Sequence, residues 1–121
     1  TIVTWGANTV DTMQAAEQLA QDNIQAEVID LATISPIDIH TILESVEKTG
    51  RLMIVHEAPK TCGVGAEIAA LVAEHALTSL IAPIQRVTGF DTVMPYYKLE
   101  NYYLPSAARI VKSAKQIMEY E

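Results

Sequence analysis

An uninterrupted apolar run, followed by a glycine-bearing turn, constrains the fold of this chain more than any other feature. The run is Leu52-Met53-Ile54-Val55, and it contains no polar residue. A strand that is apolar on both sides is typical of a parallel sheet whose two faces are covered. His56 and Glu57 follow directly, so we expect them at the carboxyl edge of that sheet, where α/β folds usually place their functional groups.

Strand-like and helix-like segments alternate along the chain of 121 residues. Strands are expected at residues 1–6, 26–31, 51–55 and 84–88, and helices at 9–22, 35–49, from about 65 and from 105. This alternation predicts an α/β fold with three layers, a mostly parallel open sheet of about four to five strands and helices on both faces. We interpret residues 1–121 as one domain, and as a fragment of a longer chain because Thr1 already lies in a strand-like segment.

Two helices carry specific expectations. In the second, Ser35 suits the N-cap, Pro36 the first helical position and Asp38 the positive end of the helix dipole. Thr49-Gly50 should end that helix. In the first helix, the apolar residues expected on the buried side are Val10, Met13, Ala16 and Ala20.

The composition excludes several classes of function. A net charge of −7 argues against a nucleic-acid partner and favours a basic protein partner. The single cysteine, Cys62, cannot form an internal disulfide and fits a reducing compartment. No apolar run approaches the roughly 20 residues of a membrane span, and no signal peptide is visible.

The motif after the third strand has a structural interpretation and a chemical one. His56 and Glu57 should point to opposite faces of the strand, so they do not form one acid–base pair. His56 is a general base, a metal ligand or, as we favour, the donor of a hydrogen bond to a nearby loop. Gly63 and Gly65 lack the third glycine of a dinucleotide fingerprint, so we expect them to permit positive φ and close helix packing. These four residues are therefore assigned to structure or to an interface.

The other two histidines and the cysteine give no stronger indication of a catalytic or metal-binding site. His40 and His75 lie on helices distant in sequence, so no metal cluster is predicted. His75 follows an apolar stripe and is expected in the core or an interface. Cys62 is either a nucleophile near a helix N-terminus or, as we favour, a small packed thiol. We predict no catalytic, cofactor-binding or metal-binding residue in this chain.

Residues 89–103 form a long aperiodic segment that holds four of the five tyrosines. Such side chains suit a protein interface or an internal loop cover, and sequence does not separate the two. Asp91, in the same segment, either holds a basic residue of a partner or starts a turn.

Taken together, these motifs resemble the C-terminal domain of the beta subunit of thiamine-dependent 2-oxo acid dehydrogenases, part of the transketolase C-terminal domain family. The resemblance covers essentially the whole chain, and the pyruvate enzyme looks more similar than the branched-chain and acetoin enzymes. The residues that carry it are 26–31, Ser35-Pro36, Asp38, 49–52, 56–59, 65–68, 86–89, Asp91, 94–96, Leu99-Glu100 and Leu104-Pro105.

The resemblance implies the chemistry of a whole enzyme. That enzyme would bind thiamine diphosphate and magnesium, decarboxylate pyruvate or a related 2-oxo acid oxidatively, and pass the acyl group to a lipoyl arm. In this family the cofactor lies between the alpha subunit and the N-terminal domain of the beta subunit. This chain is therefore expected to bind no cofactor and to be inactive alone. Such an enzyme works beside glycolysis, in the bacterial cytoplasm or the mitochondrial matrix.

The implied role of the chain is assembly and docking. Its partners would be the alpha subunit, a second beta subunit and the basic peripheral subunit-binding domain of the dihydrolipoyl acyltransferase. By the same resemblance, Asp91, Pro95 and the carboxyl terminus at Glu121 would bind that domain, and Glu121 would be a natural terminus.

Surfaces left uncovered in a fragment favour self-association, so we expect a homodimer or a larger aggregate. Two other functions stay open. One is the C-terminal domain of a single-chain transketolase-like enzyme, and the other is an independent α/β domain that binds a small ligand.

Overall fold

A four-stranded, fully parallel sheet forms the centre of the computed structural model, which describes residues 1–120. The strands are β1 (Ile2–Thr4), β2 (Val28–Asp30), β3 (Met53–Pro59) and β4 (Gln85–Gly89). Their order in the sheet is β2-β1-β3-β4. In register, Val3 of β1 lies between Ile29 of β2 and Ile54 of β3.

Helices cover both faces of this sheet. They are α1 (Asn8–Gln21), α2 (Ile39–Thr49), α3 (Val64–Ala76), the short α4 (Glu100–Tyr103) and α5 (Ala107–Met118), with one 3-10 turn at Leu77–Ser79. Apolar residues of α2 and α3 pack on one face, and those of α1 and α5 pack on the other. The three-layer α/β architecture expected from the sequence is confirmed. No helix in the described part of the chain is long and apolar enough to cross a membrane.

Strand β3 joins the two cores. Ile54 belongs to the core beneath α2 and α3, whereas Met53 and Val55 belong to the core beneath α1 and α5. Because successive side chains of a strand point to opposite faces, an apolar run is what a strand covered on both faces requires. The interpretation of the run at residues 52–55 is therefore correct, although β3 continues through His56 and Glu57 to Pro59.

The buried side of α1 is not the one that the apolar residues indicated. The helix buries Asn8, Thr12, Ala15 and Leu19. Val10 and Met13, which we expected inside, are exposed. Of the four buried residues only Leu19 is large and apolar, so the apolar pattern of the helix does not mark its buried side. This part of the prediction was wrong.

The start of α2 also differs from the expectation. Asp38, not Ser35, is the N-cap, and its carboxylate accepts bonds from the backbone N–H and the hydroxyl of Thr41 at 3.2 and 2.7 Å. Pro36 therefore lies before the helix and not at its first position. The predicted end is confirmed, since Gly50 caps the helix with a φ of 70° that favours glycine.

The carboxyl end of α5 is held by a side chain that lies just before the first residue of β3. Arg51, just before β3, donates to the carbonyl oxygens of Ile117 and Tyr120 at 3.3 and 3.2 Å. A cation at this position satisfies carbonyls that have no partner within the helix and complements the helix dipole. The last described turn is thereby placed at the amino edge of the sheet.

We predict that Leu19→Ala destabilises the protein far more than Met13→Ala, because Leu19 is fully buried and Met13 is exposed. Truncation of a buried leucine costs about 2–5 kcal/mol, and a surface change costs within about 0.5 kcal/mol. Urea unfolding followed by circular dichroism measures both free energies of unfolding. Equal losses in the two variants would contradict the observed orientation of α1.

Candidate functional site

The strand order reverses between β1 and β3, and this is where an open parallel sheet usually forms a ligand-binding crevice. Here two side chains of the chain itself fill that position. Trp5 follows β1, and the buried His56 belongs to β3. Their rings are stacked, with centroids 5.2 Å apart and planes inclined by 18°.

Two glycines close the other side of the imidazole. A Cβ at Gly65 would lie 2.6 Å from Nε2 of His56, and a Cβ at Gly63 would lie 2.8 Å from its Cε1. Any larger residue would therefore collide with the ring. The expected close packing at Gly63 and Gly65 is confirmed, but the expected positive φ is not. Cys62 adopts it instead, with a φ of 58°.

The environment of His56 is largely apolar. The side chain is 1% exposed, and neither ring nitrogen forms a hydrogen bond within residues 1–120. Among these residues, no well-aligned hydrogen bond from the ring to a loop is formed, and the backbone of Ala58 is the polar group that favours a charge on the imidazole. Burial lowers the pKa of His56 below its ordinary value of 6.5, the backbone of Ala58 partly opposes this change, and the charge of Arg86 adds to it. The neutral imidazole is the form that fits the packed site.

The other reactive residues of the sequence are exposed and are not part of this stack. Glu57 is exposed, which agrees with its expected direction opposite to His56. His75 is exposed as well, so a core position for it is wrong. Cys62 is an exposed free cysteine and not a packed thiol. Within residues 1–120, no group of three or more His, Cys, Asp or Glu side chains is arranged to hold a metal ion.

Asp91 connects the segment after β4 to the loop after β3. Its carboxylate accepts a bond of 2.9 Å from the backbone N–H of Thr61 and one of 2.5 Å from its hydroxyl. The bond from the Thr61 hydroxyl has the larger effect and the bond from its backbone N–H the next largest. Both hold the pKa of Asp91 below its ordinary value. Asp91 is exposed, so the carboxylate stays accessible while it fixes the two loops.

Arg109, which the sequence analysis missed, anchors the base of the long segment. From the first turn of α5 it donates to the carbonyl oxygens of Tyr103, Leu104 and Thr88 at 3.2, 3.1 and 2.7 Å. Its guanidinium also lies 4.8 Å from the centre of the Phe90 ring. One side chain thus joins β4, the long segment and α5.

The tyrosines divide between the two roles left open by the sequence. Tyr103 is buried and packs edge-on against Phe90 at 6.2 Å, as an internal cover. Tyr96 and Tyr102 are 94% and 80% exposed, and Tyr97 is exposed too. Pro95 is half-buried beside them. The tip of the segment therefore projects aromatic surface outward.

Asp91 and Tyr120, the last described residue before the expected docking group Glu121, lie at opposite edges of the sheet. Asp91 lies beyond the carboxyl edge of the sheet, beside Thr61. Tyr120 is held by Arg51 at the amino edge, and Glu121 lies outside the described residues. The seven residues of β3, at about 3.3 Å each, separate these edges by roughly 20 Å.

The family is settled by comparison with known proteins. The model of the transketolase C-terminal domain family matches residues 1–110. The chain therefore belongs to the transketolase C-terminal domain family, as its motifs indicated.

Curated relatives and a solved structure show which known proteins this chain resembles. The pyruvate dehydrogenase E1 component subunit beta of Staphylococcus epidermidis is 47% identical over 120 residues, which are 99% of this chain and 37% of that protein. The same subunit of Staphylococcus aureus is 47% identical over 119 residues, which are 98% of this chain and 37% of that protein. A structure described as split gene transketolase, inactive beta4 tetramer, superimposes with a TM-score of 0.84 at 26% identity, over 98% of this chain and 38% of that one. The chain thus spans less than two fifths of the curated relatives it matches.

We predict that His56 makes stability depend on pH. Its pKa is lower in the folded protein than the ordinary 6.5, so the unfolded chain binds the proton more readily. The contribution is fully present above about pH 6.5 and is lost as the pH falls toward the folded pKa.

Urea unfolding between pH 5 and 7.5 measures this slope. The variant His56→Phe, which keeps an aromatic ring on Trp5, should reduce the slope, and the remainder comes from the N-terminal amine of Thr1, whose pKa burial lowers to about 6. The variant His75→Phe, at an exposed position, should leave it unchanged. An unaltered slope in His56→Phe would refute the assignment.

Proposed function

We propose that this chain is the assembly domain of the beta subunit of a 2-oxo acid dehydrogenase. The observation that carries the proposal is an exposed apolar surface on a family member that is similar to pyruvate dehydrogenase beta subunits. The whole enzyme decarboxylates pyruvate or a related 2-oxo acid and passes the acyl group to a lipoyl arm. Its location is the bacterial cytoplasm or the mitochondrial matrix, and its partners include an alpha subunit and a second beta subunit.

Thiamine diphosphate and magnesium belong to other parts of that enzyme. The position where a parallel sheet would receive a nucleotide-like ligand is filled by Trp5 and His56. By this proposal the cofactor and its magnesium ion lie in other parts of the enzyme, and this domain contributes by binding other subunits.

The segment from residue 90 to residue 102, here called the aromatic segment, is the assembly surface. More than half of the large apolar side chains exposed in the described residues belong to it, namely Phe90, Val93, Met94, Tyr96, Tyr97, Leu99 and Tyr102. Contiguous apolar surface of this kind marks interaction sites, and tyrosine is enriched at interface cores. The similar solved structure is described as a beta4 tetramer, which supports the proposal of self-association.

We predict that the double variant Tyr96→Ser/Tyr102→Ser weakens self-association of the chain at least tenfold. Aromatic residues at the centre of an interface carry much of the binding energy, and a tenfold change needs only about 1.4 kcal/mol. Sedimentation equilibrium measures the dissociation constant. The matched control is Leu77→Ser/Tyr120→Ser, which removes exposed apolar side chains outside the aromatic segment. Equal weakening by both variants would contradict the assignment of the surface.

Docking of the acyltransferase is a second activity of the same region. We propose that Asp91, Pro95 and Glu121 bind its basic peripheral subunit-binding domain. Support comes from the exposed carboxylate of Asp91, which Thr61 holds in one position. A net charge of −7 also favours encounter with a basic domain.

We predict that Asp91→Lys weakens binding of that basic domain at least tenfold, whereas Glu74→Lys, an equal change of charge at an exposed position on α3, changes it less than twofold. Asp91→Asn should fall between them, because it removes the charge and keeps the shape. Calorimetric titration gives the three dissociation constants. Unchanged binding by Asp91→Lys would refute the docking role without touching the assembly role.

A further inference from the structure

Three basic side chains surround an open pocket beyond the carboxyl end of β4. The pocket has a volume of about 240 Å³, and Lys60, Arg86 and Arg109 line it together with Phe90 and Asp91. The three cations come from the loop after β3, from β4 itself and from α5. They converge although the chain as a whole carries a net charge of −7.

The charges around this pocket are not balanced by the protein. Asp91 is the one carboxylate in the lining, and its single negative charge offsets only one of the three cations. None of the ion pairs found among residues 1–120 involves Lys60, Arg86 or Arg109. Three positive charges against one negative charge leave an excess of positive potential inside the pocket.

Unused hydrogen-bond donors accompany the excess charge. An arginine has five N–H donors. Arg86 uses one in the described part of the chain, toward the Lys60 carbonyl at 3.1 Å. Arg109 is fixed by three bonds to carbonyl oxygens. Burial lowers the pKa of Arg109, so a nearby anion would replace hydration that its charge has lost.

We propose that this pocket binds a small oxyanion, a phosphate or carboxylate group, through the guanidinium of Arg86 and the ammonium of Lys60. Arg109 contributes a fixed positive charge at the wall. Guanidinium groups match the geometry of both anions, and charge-assisted hydrogen bonds are the strong ones. Sites for drug-sized ligands measure about 300–1,000 Å³, so this smaller pocket suits an ion or a small acid. This activity goes beyond the assembly role and does not depend on it.

The test is a calorimetric titration of the purified protein with inorganic phosphate, at ionic strength held constant with sodium chloride. We expect saturable binding that the double variant Lys60→Gln/Arg86→Gln weakens at least tenfold. The control Lys98→Gln/Lys112→Gln removes two positive charges from exposed positions outside the pocket and should change binding less than twofold. A parallel titration with acetate separates the two anions, and tighter binding of phosphate assigns the pocket to a phosphate group.

Two further variants protect the test against a folding defect. Arg86→Lys keeps the charge but loses the planar fork, so it should bind phosphate more weakly than the original protein and better than the double variant. Lys60→Gln alone should give a partial loss with an unchanged circular dichroism spectrum. The proposal is overturned if neither anion binds saturably to the original protein, or if the control pair loses as much affinity as the pocket pair.

Discussion

The stack of His56 on Trp5 is the interaction on which the arrangement of this domain depends. It lies where the strand order reverses, which is the usual entrance for a ligand in a parallel sheet. Because an imidazole, an indole and two glycines fill that position, α3 begins directly against the sheet. Surface available to other molecules is thereby moved outward, to the loops after β3 and β4. In an architecture that is common among nucleotide-binding proteins, the usual ligand position is here occupied by the chain's own side chains.

The region after β4 carries two kinds of surface, an exposed aromatic one and a positively charged pocket. The same anchoring side chains hold both. Arg109 fixes the base of the aromatic segment through three carbonyl groups, and Asp91 ties its first residues to the loop after β3. Beyond these anchors, the tyrosines at the tip face solvent. The pocket lined by Lys60 and Arg86 lies beside the anchors. The apolar surface and the positively charged pocket are therefore neighbours, and they share Phe90 and Arg109.

The strands and their parallel arrangement were predictable because periodicity and turn residues are local signals. Helix α1 shows where such signals fail, since its buried side includes Asn8 and Thr12 and hydrophobicity alone cannot select it. The N-cap of α2 was misplaced because both Ser35 and Asp38 suit that position and only the backbone decides between them. Contacts between segments that are distant in the sequence could not be predicted from it. Nothing near His56 in the sequence indicates Trp5, and nothing near Arg109 indicates the carbonyl of Thr88.

The anchoring by Arg109 has a consequence for how the aromatic segment meets a partner. A long loop normally loses much conformational freedom when it binds, and that loss subtracts from the affinity. Here the two ends of the segment are already immobilised, so only the tip has freedom left to lose. A harmful change at Arg109 would therefore loosen the surface that we propose for assembly, although this side chain lies behind it.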